Sequence, residues 1–212
     1  SNIFINNQMN SEIKTKIKKS LINNKSNKYY YGNDFNITNS ENSLICYQDK
    51  MGEIILPQPS LIGDHQLFNI STSIAASRKI FNISDTDIKN SMKKIKLKGR
   101  LEEIKSGKLK DMVKNNMLIL DSSHNPGGSK ALNDYLQTLK CKKHIIIGMM
   151  ANKDHEKYIS FFKNISSLTT VDIPNQKNAI GGMELKEKFK DIPNVQYKEN
   201  IVQAIKSIPL KK

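Results

Sequence analysis

Apolar residues recur at helical spacing at Ile13, Ile17, Leu21 and Ile22, which predicts a first amphipathic helix within a polar, Asn- and Lys-rich opening over residues 1–60. Strand-like pieces are expected at 28–31, 44–48 and 53–56, with Met51-Gly52 as a hairpin turn, before Pro57 and Pro59 break the pattern. From Asp64 the apolar face Leu67, Ile70, Ile74 and Ala75 predicts a longer helix with Asp64 as its N-cap. A second helix is expected over 84–95, packed on the first and opened by Ser84.

After the connector Lys96-Leu97-Lys98-Gly99-Arg100 the pattern changes, and a domain boundary is expected there, giving domains 1–98 and 99–212. Strands are expected at 101–105, 117–121, 144–149 and 168–173, with a weaker one at 195–197. Helices alternate with them at 128–140, 155–164, 183–189 and 200–208. Continuous apolar strands separated by helices predict an α/β fold with a mostly parallel, doubly wound sheet. The chain ends on a helix where that alternation calls for one more strand, so a truncated end is expected.

The longest apolar runs, 117–120 and 145–151, fall far short of the roughly 20 residues a membrane-spanning helix needs. Cys46 and Cys141 are the only cysteines, and neither has a metal-ligand spacing. A disulfide framework is therefore excluded, and a reducing, cytoplasmic setting is expected.

The formal net charge of +14 raises a nucleic-acid reading. Yet of the 34 basic residues only Arg78 and Arg100 are Arg, and Lys, Ile and Asn dominate the chain, as codon bias toward A/T would produce. Reading base edges favours the planar guanidinium, which this chain almost lacks, so nucleic acid is not the expected partner. Against such a bias each retained Arg carries information. Arg78, in mid-helix, reads as surface charge; Arg100, in a connector, reads as a candidate for phosphate or carboxylate recognition, with a single salt bridge as the alternative.

Four segments carry candidate chemistry. Residues 117–136 place Asp121 and His124 between the end of an apolar strand and a helix start, where open α/β sheets bind ligands and where anions are favoured. The alternative is an ordinary turn, with Asp121 as a cap and Asn125-Pro126 as turn formers. Gly128-Ser129-Lys130 resembles the tail of a phosphate-binding loop, but no G-x4-G-K-[ST] occurs in these residues. His65 and Asn69, four apart at a helix start, could face a base or phosphate, or be satisfied locally. Lys153 and Asp154, after the apolar run 145–151, are expected at the same sheet edge as Asp121.

Taken in order, L-x-G-x-H-Q-x-x-N (61–69), G-R (99–100), L-D-x-x-H-N-P-G-G-x-x-A-L (120–132) and G-M-M-x-x-K-D (148–154) resemble the folylpolyglutamate synthase and dihydrofolate synthase branch of the Mur ligase superfamily. The H-Q form at His65-Gln66 favours this branch over the muramyl-peptide ligases, which are kept as an alternative. The resemblance implies a Rossmann-like C-terminal domain preceded by the end of a central ATPase domain, with the last strand absent after Lys212. It implies a monomer that uses ATP and Mg²⁺ to join L-glutamate to dihydropteroate or a folate through an acyl phosphate. Asn69 would contact the adenine side, Arg100 the phosphates and Asp121 the nucleotide, with His124 near the reacting groups as the catalytic candidate. His65, Lys153 and Asp154 would line the cleft. Ser122-Ser123 and Asn152 depart from the family pattern. No Mg²⁺ ligand is assigned in this chain, and the chain alone is not expected to turn over ATP. A non-catalytic, partner-binding remnant is the competing expectation.

Overall fold

In the computed structural model, the described residues are 1–8, 10–40, 43–59, 61 and 63–210, with the side chain of Asp64 outside them. The chain divides into two units, Ser1–Lys96 and Leu97–Lys212.

The first unit is built on an antiparallel meander of β3 (Phe35–Asn39), β4 (Leu44–Asp49) and β5 (Gly52–Pro57), paired Phe35↔Asp49 and Asp49↔Gly52 at one end. Alternate residues Phe35, Ile37, Ile45, Tyr47, Ile54 and Leu56 point into one core while their neighbours face outward, the period-two pattern of a sheet covered on one face. Each such side chain, fully buried, contributes about 1.5–3 kcal/mol. The β4–β5 turn is closed by Asp49, whose Oδ1 accepts the Met51 amide at 2.8 Å, and by Gly52 at φ 118°.

Helix α2 (Asp64–Phe81) covers this face with Leu67, Ile70, Ile74 and Ala75, as its periodicity predicts. Its cap position is Gly63 rather than Asp64, at φ 99° and with no side-chain cap bond. A Cβ on Gly63 would stand 2.8 Å from Cε1 of His65, so the imidazole occupies the space a capping side chain needs. Helix α3 (Asp85–Met92), capped by Ser84, lies against β5 and joins the same core through Ile88 and Met92.

Two strands escaped the pattern. β1 (Asn2–Ile5) pairs in parallel with β2 (Asn27–Tyr30), and α1 (Ser11–Ser20) links them. Asn10 caps α1 by accepting from the Glu12 and Ile13 amides. The two are β1 and β3, each only a few residues long and set among Asn residues that also read as turn formers.

Arg78 is not surface charge. It is 7% exposed; Nη1 lies 3.0 Å from Asp49 Oδ1, Nη2 lies 3.5 Å from Asp85, and the guanidinium stands over the Tyr47 ring. The Tyr47 hydroxyl donates to Asp49 Oδ2 at 2.9 Å. Burial, then this carboxylate neighbour, raises the phenol far above its usual range.

The second unit centres on a parallel sheet in the order β10 (Val195–Lys198), β9 (Ser167–Val171), β8 (His144–Ile147). β9 is central, and Leu168, Thr169 and Thr170 are fully buried. The Thr170 hydroxyl donates to the Gly182 carbonyl at 2.7 Å, and Gln196 donates to the Thr169 hydroxyl, so the polar atoms cost little there. Helices α5 (Pro126–Thr138), α6 (His155–Ile159), α7 (Gly182–Lys188) and α8 (Ile201–Ser207) flank it, making the α/β layering that the sequence predicts.

The pairing differs from expectation in one respect. The strands expected at 101–105 and 117–121 shorten to β6 (Glu102–Glu103) and β7 (Ile119–Leu120), which form a separate antiparallel ribbon. A short helix, α4 (Lys108–Val113), which the pattern missed, lies between them. Among the described residues no helix is long and apolar enough to cross a membrane.

Candidate functional site

In the first unit a chain of polar contacts runs along the start of α2. Gln66, 4% exposed, brings Nε2 to 2.9 Å from His65 Nε2, and its Oε1 accepts from Asn69 Nδ2 at 3.4 Å. Asn69 is exposed, and its Oδ1 accepts from Asn6 Nδ2 at 2.9 Å. His65 and Asn69 thus share one helix face, as their spacing predicts, joined by Gln66. Asn6 lies 63 residues away in sequence, so no local pattern could have found it.

In the second unit the connector carrying Arg100 is fastened to the loop carrying Asp121. Asp121 Oδ2 accepts the Leu101 amide at 2.9 Å, and its Oδ1 accepts the Ser123 amide at 2.8 Å. The Gly99 carbonyl receives both the amide and the hydroxyl of Ser122, each at 2.8 Å. Leu101 is held at φ 49°, a left-handed conformation that costs a branched residue about 1–2 kcal/mol. The buried Leu101 side chain and the Asp121 carboxylate hold it there. The result turns Arg100 outward: it is exposed and has no hydrogen bond or ion pair among the described residues. A phosphate would find an unspent guanidinium there.

The turn after Asp121 has a different cap from the one expected. Asn125, not Asp121, caps α5, accepting the Gly128 amide at 2.9 Å, and Pro126 occupies the first turn, so the helix begins earlier than the expected residue 128. Gly128 allows the loop to close, since a Cβ there would stand 2.7 Å from Ser123 Cβ. His124 is exposed, with Nδ1 3.0 Å from the Ser122 carbonyl.

Asp121 and the Lys153-Asp154 pair do not follow strands of one sheet, because β7 lies in the antiparallel ribbon and β8 in the parallel sheet. Their loops are joined instead by Tyr158. Its hydroxyl is 2.9 Å from Ser123 Oγ, and its carbonyl accepts the Ser129 hydroxyl. Burial raises the Tyr158 phenol, an effect opposed by Ser123 and reinforced by Asp121. Asp154 caps α6 by accepting the Lys157 amide at 3.1 Å, and Lys153 is half-buried. His155 is 6% exposed, with Nε2 3.0 Å from the Met150 carbonyl.

Asp172, at the carboxyl end of β9, was not singled out by the sequence. Its Oδ1 accepts the Gly182 amide and its Oδ2 the Tyr197 hydroxyl, both at 2.6 Å. These two bonds, the hydroxyl first, lower its carboxyl below the ordinary 3.8. Among the described residues no group of three His, Cys, Asp or Glu could hold a metal ion.

A two-unit α/β protein with a parallel sheet in its second unit and a loop-held arginine belongs to a recognisable fold. That fold is shared with solved folylpolyglutamate synthases. The Mycobacterium tuberculosis folylpolyglutamate synthase complexed with ADP and AMPPCP superposes at a TM-score of 0.80 and 16% identity, over 97% of this chain and 47% of that one. E. coli FolC in complex with DHPP and ADP gives 0.73 at 19% identity, over 91% and 44%. A bifunctional folylpolyglutamate synthase/dihydrofolate synthase with Mn, AMPPNP and L-glutamate bound gives 0.75 at 16%, over 97% and 46%. The chain spans about half the length of these structures. No family model matches the sequence, and no curated protein matches it. At these identities the likeness establishes the fold.

Proposed function

We propose that this chain is part of an ATP-dependent carboxylate–amine ligase of the folylpolyglutamate synthase and dihydrofolate synthase type. The observation that carries the reading is the structural likeness over 97% of the chain to enzymes solved with ADP, taken with the ordered motifs of residues 61–154. In this reading Asn69 contributes an adenine contact from the first unit. Arg100 and Asp121 serve the nucleotide from the second, Arg100 as a phosphate ligand and Asp121 by holding the connector that aims it. His124 is assigned to the reacting groups, with His65 beside Asn69 in the first unit and Lys153 and Asp154 as further candidates in the second.

The reaction transfers the terminal phosphoryl group of ATP to a carboxylate of dihydropteroate or a folyl chain, and the amine of glutamate then displaces phosphate to leave an amide. An acyl phosphate and the tetrahedral species after it concentrate negative charge, which preorganised cations and N–H donors stabilise. Arg100 and the imidazole of His124 are such groups. Magnesium is assigned to no residue of this chain.

Titrating ADP into the chain while following backbone amide resonances tests the reading. Perturbation centred on Arg100, Leu101, Ser123 and Asn69 is expected. Shifts confined to other surfaces, or none at low-millimolar ADP, overturn it. With ATP, glutamate and a folate, these residues alone are expected to release no phosphate, since they contain no G-x4-G-K-[ST] loop.

A further inference from the structure

β1, α1 and β2 form a single β–α–β crossover with both strands parallel. In open α/β arrangements the carboxyl ends of parallel strands, where the chain leaves the sheet, form the natural ligand crevice. Here that end is hollow. A cavity of about 340 Å³ lies between α1 and the carboxyl ends of β1 and β2, of a size that takes a small organic molecule.

Its chemistry is one-sided. Lys14 and Lys18, one turn apart on the face of α1 that also carries Ile17, both line it, and neither has an ion pair among the described residues. Lys16, by contrast, lies outside the lining and is paired with Glu12 at 2.6 Å. Asn7 and Asn33 line it too, and their side-chain amides have no hydrogen-bond partner among the described residues. No Asp or Glu is among the lining residues. Tyr30 and Ile17 supply an apolar wall. The α1 N-terminus plays no part, because Asn10 already takes its first amides.

We propose that this cavity is a binding site for a compact organic dianion, held by the Lys14 and Lys18 ammonium groups and oriented by the amides of Asn7 and Asn33. The dianion is a phosphate-type group or a dicarboxylate. The proposal is independent of the nucleotide reading, since none of its ligands is Asn69, Arg100 or Asp121. One link joins the two: Asn6, in the cavity wall, donates to Asn69.

Calorimetric titration of the full chain with phenyl phosphate and, separately, with glutarate tests it, and the arm that saturates identifies the source of the charge. Lys14→Ala/Lys18→Ala is expected to weaken that binding by about tenfold or more, the loss of charge-assisted contacts. Ile17→Phe, which fills the cavity without changing charge, is expected to abolish it. Lys16→Ala is expected to leave it within about twofold, as for an exposed pair. The proposal is overturned if neither probe saturates at millimolar concentration, if Lys16→Ala weakens binding as much as the double variant, or if Ile17→Phe binds normally. ADP shifts at Arg100 and Ser123 are read in a separate titration, so either reading can fail alone.

Discussion

The two arginines of this Lys-rich chain sit in opposite surroundings. Arg78 lies in the first unit, 7% exposed, spent on Asp49, Asp85 and the face of Tyr47, with only Nε left unpartnered among the described residues. Arg100 lies in the second unit, exposed and unspent, on a connector whose backbone is tightly held. A guanidinium bridging two carboxylates and stacking on a ring is a task a lysine performs poorly, and so is the recognition of a phosphate. Both tasks favour Arg over Lys; at Arg78 the partners are present in the fold, whereas at Arg100 the phosphate is the one proposed above. Retention alone does not tell the two apart; burial and free valence do.

The strongest way to break this contrast is to remove Arg78. Arg78→Leu leaves Asp49 charged, nearly buried and unpaired, and a loss of about 3–5 kcal/mol is expected in urea unfolding of the first unit followed by circular dichroism. Arg78→Lys should recover only part of it, because one ammonium cannot serve both carboxylates. A Leu variant as stable as the parent would mean that the network is ornamental.

Next in size is a test of whether the carboxyl end of β9 is closed in the manner of Arg78. A Cβ on Gly182 would stand 2.7 Å from Tyr197 Cε2 and 2.8 Å from the Val171 carbonyl carbon. Gly182→Ala is therefore expected to cost about 1–3 kcal/mol, measured on the second unit's unfolding transition. A neutral result would place this edge with the open, ligand-ready regions instead.

Asp172 sharpens the same question through pH. Its carboxyl is lowered on folding, by the Tyr197 hydroxyl and then the Gly182 amide, so the folded state binds its proton less readily than the unfolded chain. The stability it contributes is present above the ordinary aspartate value and is lost as pH falls through the lower folded value. Asp172→Asn should cost about 1 kcal/mol at neutral pH, the loss of a hydrogen bond, and the gap to the parent should narrow as pH falls below the ordinary aspartate range. A gap that persists at acid pH would assign the loss to packing.

What the sequence disclosed follows from how local each signal is. The run Ile145–Ile147 was legible as a strand because continuous apolar residues have few other uses, and Leu168–Val171 because its Thr and Val are β-branched. β1 and β3 were not, since each is a short segment set among Asn residues, which read equally well as turns. The pairing of β6 with β7 depends on partners some twenty residues apart, which no window contains. At the candidate site, Asp121 and Arg100 were visible as motif residues, but the bond from Asp121 to the Leu101 amide, and the part Tyr158 plays in joining two loops, are tertiary facts. The burial of Arg78 was not legible either, because position within a helix does not reveal the Asp49 carboxylate 29 residues away that receives it.

The smallest expected stability effect is the most discriminating. Arg100→Ala removes a side chain with no partner among the described residues, while the bonds that hold its connector, from Leu101 to Asp121 and from Ser122 to Gly99, use the backbone of positions 99 and 101 and remain intact. Unfolding free energy should stay within about 0.5 kcal/mol of the parent, as for exposed positions generally. The ADP-induced shifts at Leu101 and Ser123 should nevertheless shrink or vanish, because the lost group is the cation assigned to phosphate. Stability and binding would then separate at Arg100, whereas at Arg78 any loss of binding would only follow unfolding. If Arg100→Ala instead destabilised the second unit while leaving ADP binding unchanged, the connector arginine would be a structural residue like its counterpart, and the contrast between the two would collapse.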